Sequence, residues 1–239
     1  MGPGPPSDLL PAERSLSGKR LLRIAASIWL VFFLVMILTV LGLGHLPAVR
    51  LTRIEAPFFR AIRTGPFGPL VLSHSVWVRS AGIFLTNLRF LAVALVGAGL
   101  FRLRRATHRH AANPILGRRV IVPFLAVFGG VVAGILGWAA VGYFALAFLG
   151  NAMVAGVAVI TSERIVHAGW PLVMLLGILP HGIFEIFAYA LGFALLMAAR
   201  TGRGVLRAPA FWTVLPIGIL VLAALIEAGV TPRLIALLR

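Results

Sequence analysis

Cysteine is absent from the 239 residues of this chain. Disulfides, thiolate metal sites and cysteine nucleophiles are thereby excluded, and cysteine usage carries no information about the redox state of the compartment. Acids are scarce as well, with 6 Asp and Glu against 22 Lys and Arg, for a net charge of +16. Charged residues of both signs make up only 12% of the chain, about half of the roughly 25% found in ordinary soluble domains. That shortage excludes a soluble globular protein. Two catalytic signatures are missing too. There is no GxSxG elbow, and the few serines lie mostly outside the apolar runs; there is no HExxH pair either. A serine hydrolase and a zinc protease of those types are unsupported, and no catalytic residue is assigned.

What the chain has instead is apolar length, with 60% of its residues hydrophobic. The charge-free run from Ile24 to Leu43 is long enough, at about 1.5 Å per helical residue, to cross a hydrocarbon layer of roughly 30 Å. It exceeds the roughly 7–15 residues of a signal-peptide core and reads as a retained helix. A second span follows over residues 81–101, with Asn87 and Arg89 near its start. The stretch from 120 to 162 carries no charge and is twice the length one crossing needs, which predicts two apolar elements within it, one crossing and one half-inserted. Further spans are expected over 165–199 and 208–226. The total is five or six. Gly129, Gly130, Gly134 and Gly137 include a GxxxG spacing that suits close packing of helices.

The basic residues sit between these runs. Arg102, Arg104, Arg105, Arg109, Arg118 and Arg119 follow the second span without an intervening acid, while Lys19, Arg20 and Arg23 precede the first. Such placement is that of the positive-inside rule and of contact with anionic headgroups, so it predicts a cytoplasmic N-terminus and no nucleic-acid partner. Residues 1 to 20, rich in proline and glycine, are expected to form a flexible tail, and 21 to 239 a single transmembrane domain. Between Gly44 and Ser80, Leu51, Ile54, Phe58 and Ile62 recur at helical spacing among Arg50, Arg53, Arg60 and Arg63. That pattern predicts an amphipathic helix at the membrane interface, with Pro57 as a point of kinking.

The most informative segment is Leu179-Pro180-His181-Gly182-Ile183-Phe184-Glu185. Between Ile165 and Arg200 the only formally charged side chain is Glu185, and a charge at the bilayer centre costs about 2.5–3.5 kcal/mol even on the gentler scales. Pro180 and Gly182 predict a break in the helix. His181 and Glu185 lie four apart and share a helical face, so they can share a proton or hold a metal ion. Two ligands leave such a metal site incomplete, and no metal or cofactor is assigned from the sequence. His108 and His110 lie in the arginine-rich loop and read as part of a basic surface. Glu227, close to Thr231 and Pro232, reads as a boundary residue at the end of the last span. Asn87 and Asn151 read as residues that hydrogen-bond across helices in packing.

Two of these segments, in this order, resemble the stage II sporulation protein M family of multi-spanning membrane proteins. Its Pro-His-Gly-x-x-Glu segment is matched by Pro180, His181, Gly182 and Glu185. Its Ile-Glu-Ala-x-x-Thr-Pro segment is matched by Ile226, Glu227, Ala228, Thr231 and Pro232. Phe84 with Asn87, and Asn151 with Gly156, match further family features, and the resemblance covers about residues 80 to 235. The chain departs from the family in lacking a glycine directly after Asn151 and in its arginine-rich segment from 102 to 119. The resemblance implies, in endospore-forming bacteria, a membrane component that holds peptidoglycan-degrading enzymes together during engulfment, and it does not imply that the chain cuts anything.

The expectation is thus an all-α, polytopic bundle of five or six membrane segments, one broken at Pro180–Gly182, with an interfacial amphipathic helix and the cell membrane as its location. Two roles follow. One is a non-enzymatic scaffold for envelope or peptidoglycan-hydrolase partners. The other is a transporter or channel for a small solute or ion in which Glu185 is proton-linked. Beyond the lipid bilayer the partner is open, as is the oligomeric state.

Overall fold

A computed structural model describes residues 17–111, 121–167, 169–201 and 209–237. Nearly all of them are helical: α1 Gly18–Leu43, α2 Ala48–Thr64, α3 Gly68–Val71, α4 Val76–Ala111, α5 Ile121–Val166, α6 Trp170–Val173, α7 Leu179–Arg200, α8 Pro209–Gly229 and α9 Thr231–Ala236. The tail expected over residues 1–20 lies outside the described residues up to position 16. From Gly18 the chain is already helix, capped by Ser17, whose hydroxyl accepts from the Arg20 N–H at 3.3 Å. Lys19, Arg20 and Arg23 thus occupy the positive end of a helix dipole, a placement unfavourable for the helix itself and favourable for its membrane side.

Five helical stretches are long and apolar enough to cross a bilayer: Gly18–Leu43, Val76–Thr107, Val127–Ile165, Trp170–Arg200 and Ala210–Ala236. The chain is an integral, multi-pass membrane protein. Contacts between the helices fix their directions. Near one end, Arg105 on α4 donates to the Ala199 carbonyl on α7, and Arg200 stacks over Trp138 of α5 at 4.1 Å. Phe101, Arg104, Arg105, Trp138 and Arg200 there line an open cavity of about 370 Å³. Near the other end, Arg164 on α5 donates to the carbonyls of Gly44 and Leu46, at 2.9 and 2.7 Å, satisfying acceptors that the end of α1 leaves open. The five spans therefore alternate in direction, and the described start and end of the chain lie at opposite ends of the bundle. The arginines of α4 and α7 share the end at which α1 begins.

The uncharged stretch from 120 to 162 is not two elements. It belongs to one continuous α5 of 46 residues, roughly 69 Å long at 1.5 Å per residue. Its glycines do not break it, and Gly134, Gly137 and Gly156 pack against neighbouring helices. Gly134 lies against the Arg104 side chain and Gly137 against the Phe101 ring, so the GxxxG region does meet a neighbouring helix. Because Gly134 already faces Arg104, the residues before it run past the end of α7, alongside the last turns of α4, which continues to Ala111. Gly156 marks the closest approach to α1: a Cβ there would sit 2.7 Å from the Met36 carbonyl oxygen and 2.8 Å from Thr39 Cβ.

Aromatic rings tie the bundle together across four helices. Phe32 of α1 meets Phe148 of α5 at 5.1 Å, Phe144 stacks on Phe90 of α4 at 4.5 Å and on Phe193 of α7 at 5.0 Å, and Phe90 packs edge-on against Tyr189 at 4.8 Å. Leu91, Ala94, Leu191, Ala194 and Leu196 are fully or nearly fully buried around them. The amphipathic segment is helix α2, and Pro57 lies within it without dividing it. The interruption expected at Pro180–Gly182 takes the form of a π-helical turn, Met174–Ile178, one turn earlier, with Pro180 in the first turn of α7. Proline has no N–H to return to the carbonyl four residues back and its ring crowds that carbonyl; the wider turn relieves this, and the Leu179 N–H reaches Met174 O instead.

The α1–α5 contact yields a direct test. Gly156→Val is expected to destabilise the protein by about 1–3 kcal/mol, because a backbone carbonyl cannot yield to the added carbons. Gly142→Val, at a position with nothing within 4 Å, is the control and should change little. Thermal aggregation in detergent, followed by size exclusion, reads both.

Candidate functional site: an intramembrane histidine and glutamate centre

The two sequence motifs, far apart along the chain, meet in space. Helical spacing puts His181, Glu185 and Tyr189 on one face of α7, each four residues from the next. The end of α8 and the start of α9 bring Glu227 and Thr231 against that face. One ligand atom from each of His181, Glu185 and Glu227 lies within 4.8 Å of the other two, and all three side chains are partly buried. Glu185 is the midpoint of the apolar stretch Trp170–Arg200.

Hydrogen bonds orient two members of the trio. The Tyr189 hydroxyl donates to Glu185 Oε1 at 2.9 Å. His181 Nδ1 lies 3.1 Å from Thr231 Oγ1, and the Thr231 hydroxyl donates to the Ile226 carbonyl at 3.4 Å. A Thr231 hydroxyl that donates to Ile226 can accept from an Nδ1–H, which selects one of the two neutral tautomers open to His181. That tautomer leaves the lone pair of His181 on Nε2. Glu227 has no hydrogen-bond donor or cationic partner among the described residues, and Glu185 and His181 lie beside it.

Each expected residue has a definite place. Pro180 opens α7, and Gly182 is buried one turn from Ile178 and Ile186, where a Cβ would meet Ile178 Cγ2 at 3.2 Å. Ile226 contributes its carbonyl to Thr231, Ala228 is buried in the contact with α4, and Pro232 is exposed in the first turn of α9. Glu227, read as a boundary residue, lies near the end of α8 and, through the packing of α8 on α7, faces Glu185 and His181 as well. Asn151 Nδ2 donates to Ala147 O of its own helix at 2.7 Å, and no bond from Asn151 to another helix is found among the described residues. Asn87 is partly buried on α4, and no side-chain hydrogen bond joins it to the centre among the described residues. Gly156 belongs to the α1 contact. Tyr189 was not singled out in the sequence, although its i+4 spacing from the lone carboxylate of an apolar run is a usable signal.

The arrangement defines a class: a multi-pass helical membrane protein with a histidine–dicarboxylate centre inside the bundle. Comparisons with protein-family models, with curated proteins and with solved structures find no match to this chain.

The hydrogen bonds predict opposite effects of two conservative substitutions. Tyr189→Phe removes the donor to Glu185 and is expected to lower stability by about 1 kcal/mol. Glu227→Gln replaces one of two facing carboxylates by an isosteric amide and is expected to keep or raise the melting temperature of the ion-free protein, since facing charges are unfavourable. Thermal scans in detergent decide, and a destabilised Glu227→Gln beside an unaffected Tyr189→Phe would contradict this geometry.

Proposed function

We propose that this is a non-enzymatic membrane protein that takes a cation into the bundle at His181, Glu185 and Glu227, and that its function is the movement of that ion. The observation that carries this reading is the approach of two carboxylates and an imidazole on two apolar spans to within 4.8 Å, with no Lys or Arg paired to them among the described residues. Ionisable groups within such spans are costly and mark ion or substrate pathways. Purely structural polar contacts do not call for two acids side by side, because one hydrogen-bonded acid, as at Glu185 and Tyr189, already satisfies its surroundings. The π turn before Pro180 adds irregular backbone beside the centre, a feature that goes with ion sites in transporters.

The orientation is part of the proposal. The end that carries Lys19, Arg20, Arg23, Arg102, Arg104, Arg105 and Arg200 faces the cytoplasm, and the end at α9 faces outward. The scaffold role implied by the resemblance to the stage II sporulation protein M family makes a different forecast: gentle purification recovers envelope hydrolases in stoichiometric amount, and reconstituted protein moves no ion.

Reconstitution tests the proposal. Purified protein in liposomes loaded with cation-sensitive dyes should give flux well above empty liposomes. Glu185→Gln and Glu227→Gln, each folded by size exclusion, should reduce it at least about tenfold, the size of effect that follows losing roughly 1.4 kcal/mol of ion binding. Gly142→Ala should leave it intact. Wild-type flux indistinguishable from empty liposomes would overturn this function.

A further inference from the structure

We infer that the ion held at this centre is a divalent transition-metal cation, bound by His181 Nε2, one carboxylate oxygen of Glu185 and one of Glu227. The inference rests on the cation-binding reading above and names the class of ion. Three observations lead to it.

The first is the donor set. Sodium, potassium, magnesium and calcium take oxygen ligands, whereas an imidazole nitrogen beside carboxylates suits zinc, manganese, iron and their neighbours. The sequence offers only an i,i+4 pair; the fold supplies the third ligand from α8. Ligand atoms around one tetrahedral zinc lie about 3.4 Å apart, from metal–ligand distances of roughly 2.0–2.2 Å. Contraction from the 4.8 Å limit is therefore within the reach of side-chain rotation.

The second is charge. Two ionised carboxylates and a neutral imidazole carry −2, and a divalent cation brings the centre to zero in a medium where any net charge is costly. Glu227 in particular faces the other two ligands with no hydrogen-bond donor or cationic partner of its own among the described residues.

The third is the outer layer. Metal-binding histidines almost always donate their second ring N–H to a fixed acceptor, and ligating carboxylates are themselves hydrogen-bonded. Thr231 is positioned as such an acceptor for His181 Nδ1, held by its own bond to Ile226 O, and Tyr189 donates to Glu185. Three protein ligands leave a further coordination position open, as an ion that must enter and leave requires.

Titration calorimetry on the purified, chelator-stripped protein tests this with Zn²⁺, Mn²⁺, Mg²⁺ and Na⁺ as separate probes. The expected result is one Zn²⁺ per chain, bound more tightly than Mn²⁺, with Mg²⁺ and Na⁺ unable to compete. Glu227→Gln and His181→Gln should weaken Zn²⁺ by more than about 100-fold. Thr231→Val, which touches no metal, should weaken it by about 10–100-fold, in the range of outer-layer losses. Each variant is first shown to be monodisperse and helical by circular dichroism; if His181→Gln does not fold, Glu227→Gln carries the decision. Metal that binds with equal affinity to wild type and Glu227→Gln overturns the assignment. Flux of protons or Na⁺ without any Zn²⁺ or Mn²⁺ binding overturns the metal and leaves the cation reading standing. Neither flux nor binding overturns both.

Discussion

The structure depends on one constraint: two carboxylates are held against an imidazole inside a bundle whose other buried surfaces are almost wholly apolar. Each charge in such surroundings costs a few kcal/mol unless it is compensated. Tyr189 compensates Glu185 in part, and Thr231 fixes His181. Glu227 is left facing both. The fold tolerates this because the helices that carry the centre are tightly packed elsewhere. α7 is the most buried of the five spans, and the ring contacts that run from Phe32 through Phe148, Phe144 and Phe90 end on Tyr189. The donor to Glu185 is thus braced by the aromatic core, which links the stability of the bundle to the geometry of the site.

The same packing explains the role of small residues. Gly156 admits the backbone of α1, and Gly192 lies against Leu91 where α7 meets α4. Without a hydrophobic drive between helices in a bilayer, such close approaches supply the van der Waals contact that holds the bundle together. Arginines complete the helix ends, Arg164 at the end of α1 and Arg105 at the end of α7, each donating to carbonyls with no helical partner left. These basic residues therefore close helix ends.

Much of this was legible in the residues themselves. The places of the spans follow approximately from charge-free length, which left their number at five or six where five are found, and the helical nature of 48–64 follows from the spacing of Leu51, Ile54, Phe58 and Ile62 among arginines. The unbroken α5 was not legible, since counting residues against bilayer thickness sets no upper limit on the length of a single helix, and here one helix runs from Ile121 to Val166. Nor was the partnership of Glu227. Its position near Thr231 and Pro232 suggests an interface, and only the packing of α8 on α7 brings it to face Glu185. His181 and Glu185 could be paired from their spacing alone. Their third neighbour is a long-range contact, which no local pattern encodes.

The centre exists only through that contact, and the absence of native cysteine allows it to be measured directly. With Glu185→Cys and Glu227→Cys introduced together and a protease site engineered between residues 201 and 209, a short bifunctional thiol reagent applied to the intact protein in membranes should join the two halves. They should then migrate as one species after cleavage, while the pair Glu185→Cys and Gly218→Cys should separate. Separation of the halves in the first variant, under conditions that label both of its thiols, would contradict the convergence of the two motifs.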